Sequence, residues 1–533
     1  MITEKKTRVN NQVCPPHTVE AGDNSRPRKG GSVLHQKQLS AGGSALFLTG
    51  LGAVSHVLAF CYRVALSRMV GAEVMGLYQL VMPVYSVLLS LTAVGLTAAV
   101  SNLTPQYLAF HNPAGVRQTV STCLRAFFLL LLPIGLVVIL GYDPISVYIL
   151  GDARTQLGLV LLIPCAALTG VENIHKHFFY GGGYVRPPAV VELLEQFIRA
   201  AAVLGLLWLF LPQYPERTVG LIVLGMVLCE VFSAVTLTLL FRRRLDQGGG
   251  PGESKGVLRR RIAAIALPVG LTSLLGNLMG AANATLIPRK LVEGGMDRSA
   301  AISELGVVCG MTLPMLALPT VFLGALSLVI VPRLSRAAAL GQFAEVRRLS
   351  SRALSTVSLL LLPAMTFLVV LGGDIGTLLF RQNVGEWLFP LAAATALSGY
   401  QSTLCSILNG AGRQGWVAGV TILCDGVQLL CTLALIPRIG MGGFVAGAAL
   451  SALLGAGLTL WLAGRAIGLK PRIFQWLTAP ALASLLMGLN CNLLFRYLKD
   501  QGLSPLPAGI ACLIFGLLLY GAALQAQGVW EKR

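Results

Sequence analysis

FCYRVALSRMVGAEVMGLYQLVMPVYSVLLSLTAVGLTAAVSN, Phe60 to Asn102, decides how this chain is read. It holds the far end of one long apolar run, which contains Arg63 and Arg68, then a Gly-containing turn, then a second apolar run that carries Pro83. A charge at the centre of a bilayer costs about 3 kcal/mol on insertion scales unless it faces water, a partner or a ligand. Two arginines in one apolar run therefore call for a polar interior or a nearby interface. For Arg68, snorkelling to the interface and facing the interior are both open; Arg63 lies deeper and is expected to face the interior.

The rest of the chain has the same character. Of its 533 residues 55% are hydrophobic and 12% charged, with a mean hydropathy of +0.73. Soluble domains carry about 25% charged residues. Apolar segments fall at approximately 41–66, 76–101, 119–141, 155–178, 190–211, 219–241, 262–287, 306–331, 352–372, 386–408, 416–437, 443–464, 475–495 and 505–526. Each approaches the roughly 20 residues of a spanning helix, and no strand-like alternation runs through them. The expected fold is all-α, a polytopic membrane protein of about 14 transmembrane helices.

The net charge of +19 reports orientation rather than nucleic-acid binding, and no nucleic-acid partner is expected. With the N-terminus inside, most Lys and Arg fall on the cytoplasmic side, above all in 242–261 and 333–352; both termini are then cytoplasmic in the cell membrane. Residues 1–40 are polar and basic with no signal-peptide core, and read as a disordered cytoplasmic tail. The 242–261 stretch contains DQGGGPGES and follows six spans, so it reads as a linker between a first lobe, 41–241, and a second, 262–464, with two additional helices over 475–526. A weak repeat supports two six-helix lobes: ALSRMVGA ending the first span resembles TLIPRKLV at 285–292, which pairs Arg68 with Arg289 and leaves Arg63 opposite Ala284. Parallel repeats of six helices are a transporter plan with the substrate site between them.

Polar residues inside the spans are the candidate site. Glu192, Glu195, Gln196 and Arg199 share one helical stripe, which either lines a cavity or holds the fifth span to its neighbours. His56 lies on the same face as Arg63. Asn277 belongs to the seventh span, and Arg289 lies just past its end. Asp425 is a carboxylate well inside the eleventh, a candidate for coupling to Na⁺ or H⁺ or for a structural hydrogen bond. Glu230 is its counterpart in the first lobe. The cluster Glu172, His175, Lys176 and His177 reads as the polar end of the fourth span, and histidines at i, i+2 do not share a face for zinc. The 11 cysteines lack metal or disulfide spacing. No Walker A or dinucleotide fingerprint occurs, so no cofactor or metal is expected, and short outer loops leave no place for extracytoplasmic catalysis. The chain does not read as an enzyme.

The stretches FCYRVALSRMVGAEVMGLYQLVMPVYS, FFYGGGYVRPPAVVELLEQFIR, IALPVGLTSLLGNLMGAANATLIPRKL, LPTVFLGALSLVIVPRLSRAAALGQ and SILNGAGRQG together resemble the stage V sporulation protein B group. Those polysaccharide transporters are related to MurJ-type lipid II flippases within the multidrug/oligosaccharidyl-lipid/polysaccharide exporter superfamily. The resemblance covers about residues 41 to 527. It implies two six-helix bundles around a central cavity, alternating access, and a polyprenyl-pyrophosphate-linked sugar or peptidoglycan precursor moved from the inner to the outer leaflet, with a role in sporulation cell-wall synthesis. It implies that Arg63 and Arg68 handle the pyrophosphate. The charged eighth span of the lipid II flippases has no match, because 306–331 holds no basic residue. The expected assembly is a monomer among membrane lipids. A multidrug or organic-cation exporter and a non-transporting scaffold are the alternatives.

Overall fold

In the computed structural model residues 41–245, 253–470, 472 and 474–528 are described. The 1–40 tail and the middle of the 242–261 linker lie outside them. The described residues are helical and contain no strand. Apolar side chains on every face leave the backbone no water to bond, and a helix satisfies its N–H and C=O groups internally.

The helices are α1 Ala41–Leu89, α2 Gly95–Ala109, α3 Pro113–Leu140, α4 Gln156–Gly181, α5 Arg186–Phe210, α6 Thr218–Leu245, α7 Lys255–Glu293 and α8 Arg298–Leu305. They continue as α9 Val321–Ala339, α10 Phe343–Phe380, α11 Leu388–Gly410, α12 Gln414–Ile439, α13 Met441–Ile467, α14 Ala479–Asp500 and α15 Pro505–Ala526. Among the described residues twelve stretches are long and apolar enough to cross a membrane. One of them, Gly50–Ala109, has 60 residues, about 90 Å of helix, and crosses twice. With α11, a 23-residue helix packed on α10 and α13, the count is the expected fourteen.

Three local readings change. The first two spans are one helix that bends where a turn was expected: Gly71 has φ 78° and ψ 177°, backbone that glycine adopts without steric cost, and the chain stays helical on both sides. The eighth span is helical throughout but irregularly wound, passing from α8 through π-helical Gly306–Thr312, an α-helical Leu313–Ala317 and a 3₁₀ turn at Leu318–Thr320 into α9. The linker is shorter than its composition suggests, because α6 runs on through Arg244 and α7 begins at Lys255.

Contacts between helix ends gather those ends into two groups. At the end that carries residues 245–255, here the linker end, Arg261 pairs with Glu253 at 3.1 Å, Arg347 donates to the Ile467 carbonyl and Ser335 to the Gly410 carbonyl. At the opposite, far end Lys499 pairs with Asp374 at 2.7 Å and Arg154 with Glu73 at 2.7 Å.

α1 lies between the halves, against α5 of the first and α7, α8 and the π segment of the second. Near the far end it touches α8 backbone to backbone: a Cβ on Gly76 would stand 2.0 Å from the Ile302 carbonyl oxygen, and one on Gly306 2.0 Å from that of Ala72. α14 and α15 pack outside on α10, burying Leu371, Met487, Cys491, Phe495 and Cys512. The ten cysteines among the described residues are free.

Candidate functional site

Arg63 is half-buried and faces the second half of the molecule. Its Nη1 lies 3.5 Å from the Gly310 carbonyl, and Gln79 Nε2, four turns further along α1, donates to the Cys309 carbonyl at 3.3 Å. Both acceptors belong to Gly306–Thr312, where i→i+5 winding leaves carbonyls out of the regular ladder; π segments of this kind recur at functional sites. No carboxylate pairs with Arg63 among the described residues. Among the described residues its hydrogen-bond partner is a peptide carbonyl, so an anion at the interface of the halves would meet a guanidinium, a group that grips phosphate oxygens bidentately.

The α5 stripe is a buried charge network. Arg199 donates from Nη2 to Glu195 Oε1 and, at 3.3 Å, to Glu230 Oε1 on α6. Ser233 donates to Glu195 Oε2 at 3.1 Å. Arg199 Nε contacts Cys229 Sγ at 3.4 Å. Lys176 on α4 lies 3.4 Å from Glu172 and 3.3 Å from Glu192. Glu172, expected at a polar helix end, is buried, and Glu230, expected to stand alone, shares Arg199. Glu230 is 3% exposed, and its Oε2 has no hydrogen-bond partner. Glu195, Cys229 and Glu230 bring ligand atoms within 4.8 Å of one another. Arg199 already occupies that space, and a guanidinium there excludes a second cation. Tyr78 donates to Met226 Sδ on α6, four residues before Glu230, and α1 packs on α5, so the network lies against the helix that carries Arg63.

Other expected residues lie elsewhere. Arg68 donates from Nε to the Leu379 carbonyl at 2.6 Å and from Nη2 to that of Leu378, at the end of α10. Arg289 donates to the carbonyls of Ile149, at 2.6 Å, and Tyr148, at the end of the turn Ile145–Leu150. Both arginines therefore cap helix ends in the other half, at the far end of the molecule. His56 is exposed on α1. Asn277 donates to Ser273 of its own helix at 3.0 Å. Asp425 is half-buried on α12 with no partner among the described residues. The site residues thus form two groups, Arg63 with the Glu192/Glu195/Arg199 network, and Arg68 with Arg289, while His56, Asn277 and Asp425 join neither.

A cavity of about 1010 Å³ was not anticipated. It opens between α3 and α7 over a floor from Ser90 to Leu96, and Arg117, Arg125, Lys255 and Arg259 line it. Its signal in the sequence was the run Arg117, Gln118, Ser121, Thr122, Arg125, spaced i, i+1, i+4, i+5, i+8 on one face of α3.

The family model described as polysaccharide biosynthesis protein matches residues 42–338, from the first span through Arg63 and the α5 network into α9. The chain belongs to that family. The model for lipid II flippase MurJ matches residues 311–504. Stage V sporulation protein B of Bacillus subtilis (strain 168) is 25% identical over 299 residues, 54% of this chain and 57% of that protein, so the chain spans little more than half of that relative's length. Lipid II flippase MurJ of the same organism is 20% identical over 439 residues, 76% of this chain and 79% of that one. Among solved structures, lipid II flippase MurJ in an inward closed conformation superposes with a TM-score of 0.68 at 12% identity, covering 92% of this chain and all of that one. A multidrug resistance MATE family transporter in its inward-facing conformation gives 0.59 at 13% identity, covering 80% and 100%. The chain shares the fold of these two transporters.

Proposed function

We propose that this family member is a flippase that moves polyprenyl-pyrophosphate-linked sugar or peptidoglycan precursors from the inner to the outer leaflet of the cell membrane by alternating access, and that it is not an enzyme. The observation that carries the reading is Arg63, a guanidinium held within a spanning helix, aimed between the halves and paired with no carboxylate among the described residues. A pyrophosphate diester needs partial neutralisation to cross a low-dielectric slab, and its outward movement gains about 2.3 kcal/mol per charge per 100 mV of inside-negative potential. In this reading 41–241 and 262–464 are the moving lobes, both termini and the linker end are cytoplasmic, and the closed far end faces outward. The names of the flippase relatives and the structural likeness to MurJ support it.

The test is Arg63→Ala at unchanged expression, with precursor exposed on the outer leaflet as the readout. Exposure is expected to be lost, and Arg63→Lys, which keeps the charge without the bidentate grip, to restore part of it. Full retention in Arg63→Ala would overturn the assignment. One observation favours an organic-cation exporter instead: Glu172, Glu195 and Glu230 outnumber Lys176 and Arg199, and Glu230 Oε2 is unpartnered. A drug-susceptibility panel separates the two, since only an exporter of cations would change it.

A further inference from the structure

The cavity between α3 and α7 is graded along its length. Arg117 and Arg125 from α3 and Lys255 and Arg259 from α7 occupy the part nearer the linker end, with no carboxylate among the lining residues. Arg125, Lys255 and Arg259 are exposed and have no hydrogen-bond or ion-pair partner among the described residues. Further along, the walls become Leu129 and Leu130 on one side and Leu267, Leu271 and Leu274 on the other. Leu129 is 75% and Leu267 71% exposed. Both helices run away from the linker end, so the cations come first and the leucines after them. From Lys255 to Leu271 is about 24 Å of helix, more than the roughly 15 Å of one leaflet's hydrocarbon. A groove with a cationic head and an open apolar tail matches a lipid with an anionic headgroup.

We propose that this groove is a loading site for the polyprenyl-pyrophosphate substrate, separate from Arg63; the inference rests on the flippase reading. Two features favour that lipid over an ordinary phospholipid. Four cations without a lining carboxylate exceed what one phosphodiester neutralises, whereas a pyrophosphate diester carries two charges. Arg125 also lies deep. It is twelve residues, about 18 Å, along a 28-residue helix that outreaches the hydrocarbon core by about 12 Å, which puts it roughly 12 Å below the interface where phospholipid headgroups rest. At the groove's floor α2 meets α7 in backbone contact: a Cβ on Gly95 would stand 2.3 Å from the Ala266 carbonyl oxygen.

The test is native mass spectrometry of the purified full chain with undecaprenyl pyrophosphate and, separately, phosphatidylglycerol as probes. Undecaprenyl pyrophosphate is expected to bind the wild type more tightly than phosphatidylglycerol. It should lose at least about tenfold in affinity in the double variant Arg125→Ala/Arg259→Ala and keep it in Arg125→Lys/Arg259→Lys. A melting profile like wild type shows that the double variant is folded, as its exposed positions lead one to expect. Equal binding of the two lipids overturns the proposal in favour of an ordinary bilayer lipid. Binding lost in Arg63→Ala but intact in the double variant overturns the groove and leaves the flippase reading standing. No binding to any form overturns both.

Discussion

Arg199 shows how little of a buried charge network a single residue type reveals. The i, i+4 order of Glu195 and Arg199 was plain in the sequence, yet the third member, Glu230, sits 31 residues away on α6, where no spacing rule applies. The three side chains are unequal in what their removal leaves behind. Arg199→Leu strands two carboxylates in the interior and should cost about 3–5 kcal/mol, while Glu230→Gln leaves the Glu195–Arg199 pair intact and should cost less than about 2. Thermal melting in detergent orders the two variants, and equal losses would mean that Glu230 bears as much of the guanidinium as Glu195 does. At the far end, Asp152 accepts from the Arg154 backbone N–H at 2.9 Å and from its Nε at 3.0 Å. Burial would raise this carboxyl, but those bonds and the charges of Arg154 and Arg298 outweigh it and hold it below the ordinary carboxylate range. A lowered folded-state value contributes stability that is present above about pH 4 and lost as the pH falls through the lowered value. The melting difference between wild type and Asp152→Asn should therefore be constant near neutrality and vanish in strong acid.

Elements carry the closure of the far end, and here the sequence was half legible. The repeat paired Arg68 with Arg289, and both donate to backbone carbonyls of the opposite half, but those acceptors lie 311 and 140 residues away, and a carbonyl acceptor leaves no mark on side-chain pattern. Each arginine caps the end of a helical turn in the opposite half, where the last carbonyls are unpaired and the dipole is negative. The two caps are thus one device used twice, once in each direction. Losing one should cost the closed arrangement about 1–2 kcal/mol, roughly a five- to thirtyfold change in the balance of closed and open forms. Cys309, on the π segment beneath α1, supplies the readout in a protein that retains this cysteine alone. Its labelling by a maleimide should accelerate in Arg68→Gln and in Arg289→Gln and further in the double variant, and an unchanged rate in the double variant would show that the caps do not hold the end shut. Gly76→Val should act in the same direction by another route, because its side chain would occupy the place of the Ile302 carbonyl. The bend at Gly71 was foreseen as a turn. A glycine between apolar runs marks a change of direction, but whether helix resumes at once depends on what α1 packs against, and that is tertiary information.

For the whole molecule, the fourteen spans were readable because lipid makes hydrophobic length a direct physical requirement, whereas the groove between α3 and α7 was not, since it arises from two helices more than 100 residues apart in the chain. The same length requirement makes orientation testable without reference to cargo. Contacts at the two ends fix which turns lie together: Gln342 and Gly412 fall at the linker end, and Leu503 lies beyond α14 at the far end with Lys499 and Asp374. In the proposed orientation the linker end, with its excess of Lys and Arg, faces the cytoplasm, since basic residues resist translocation. In a cysteine-free background, Leu503→Cys should then react with a membrane-impermeant thiol reagent on intact cells, and Gln342→Cys only after permeabilisation. The reverse pattern would invert the molecule, place the closed end inside, and turn both Arg63 and the cationic groove toward the outer leaflet, where an outward flippase would have no substrate to load.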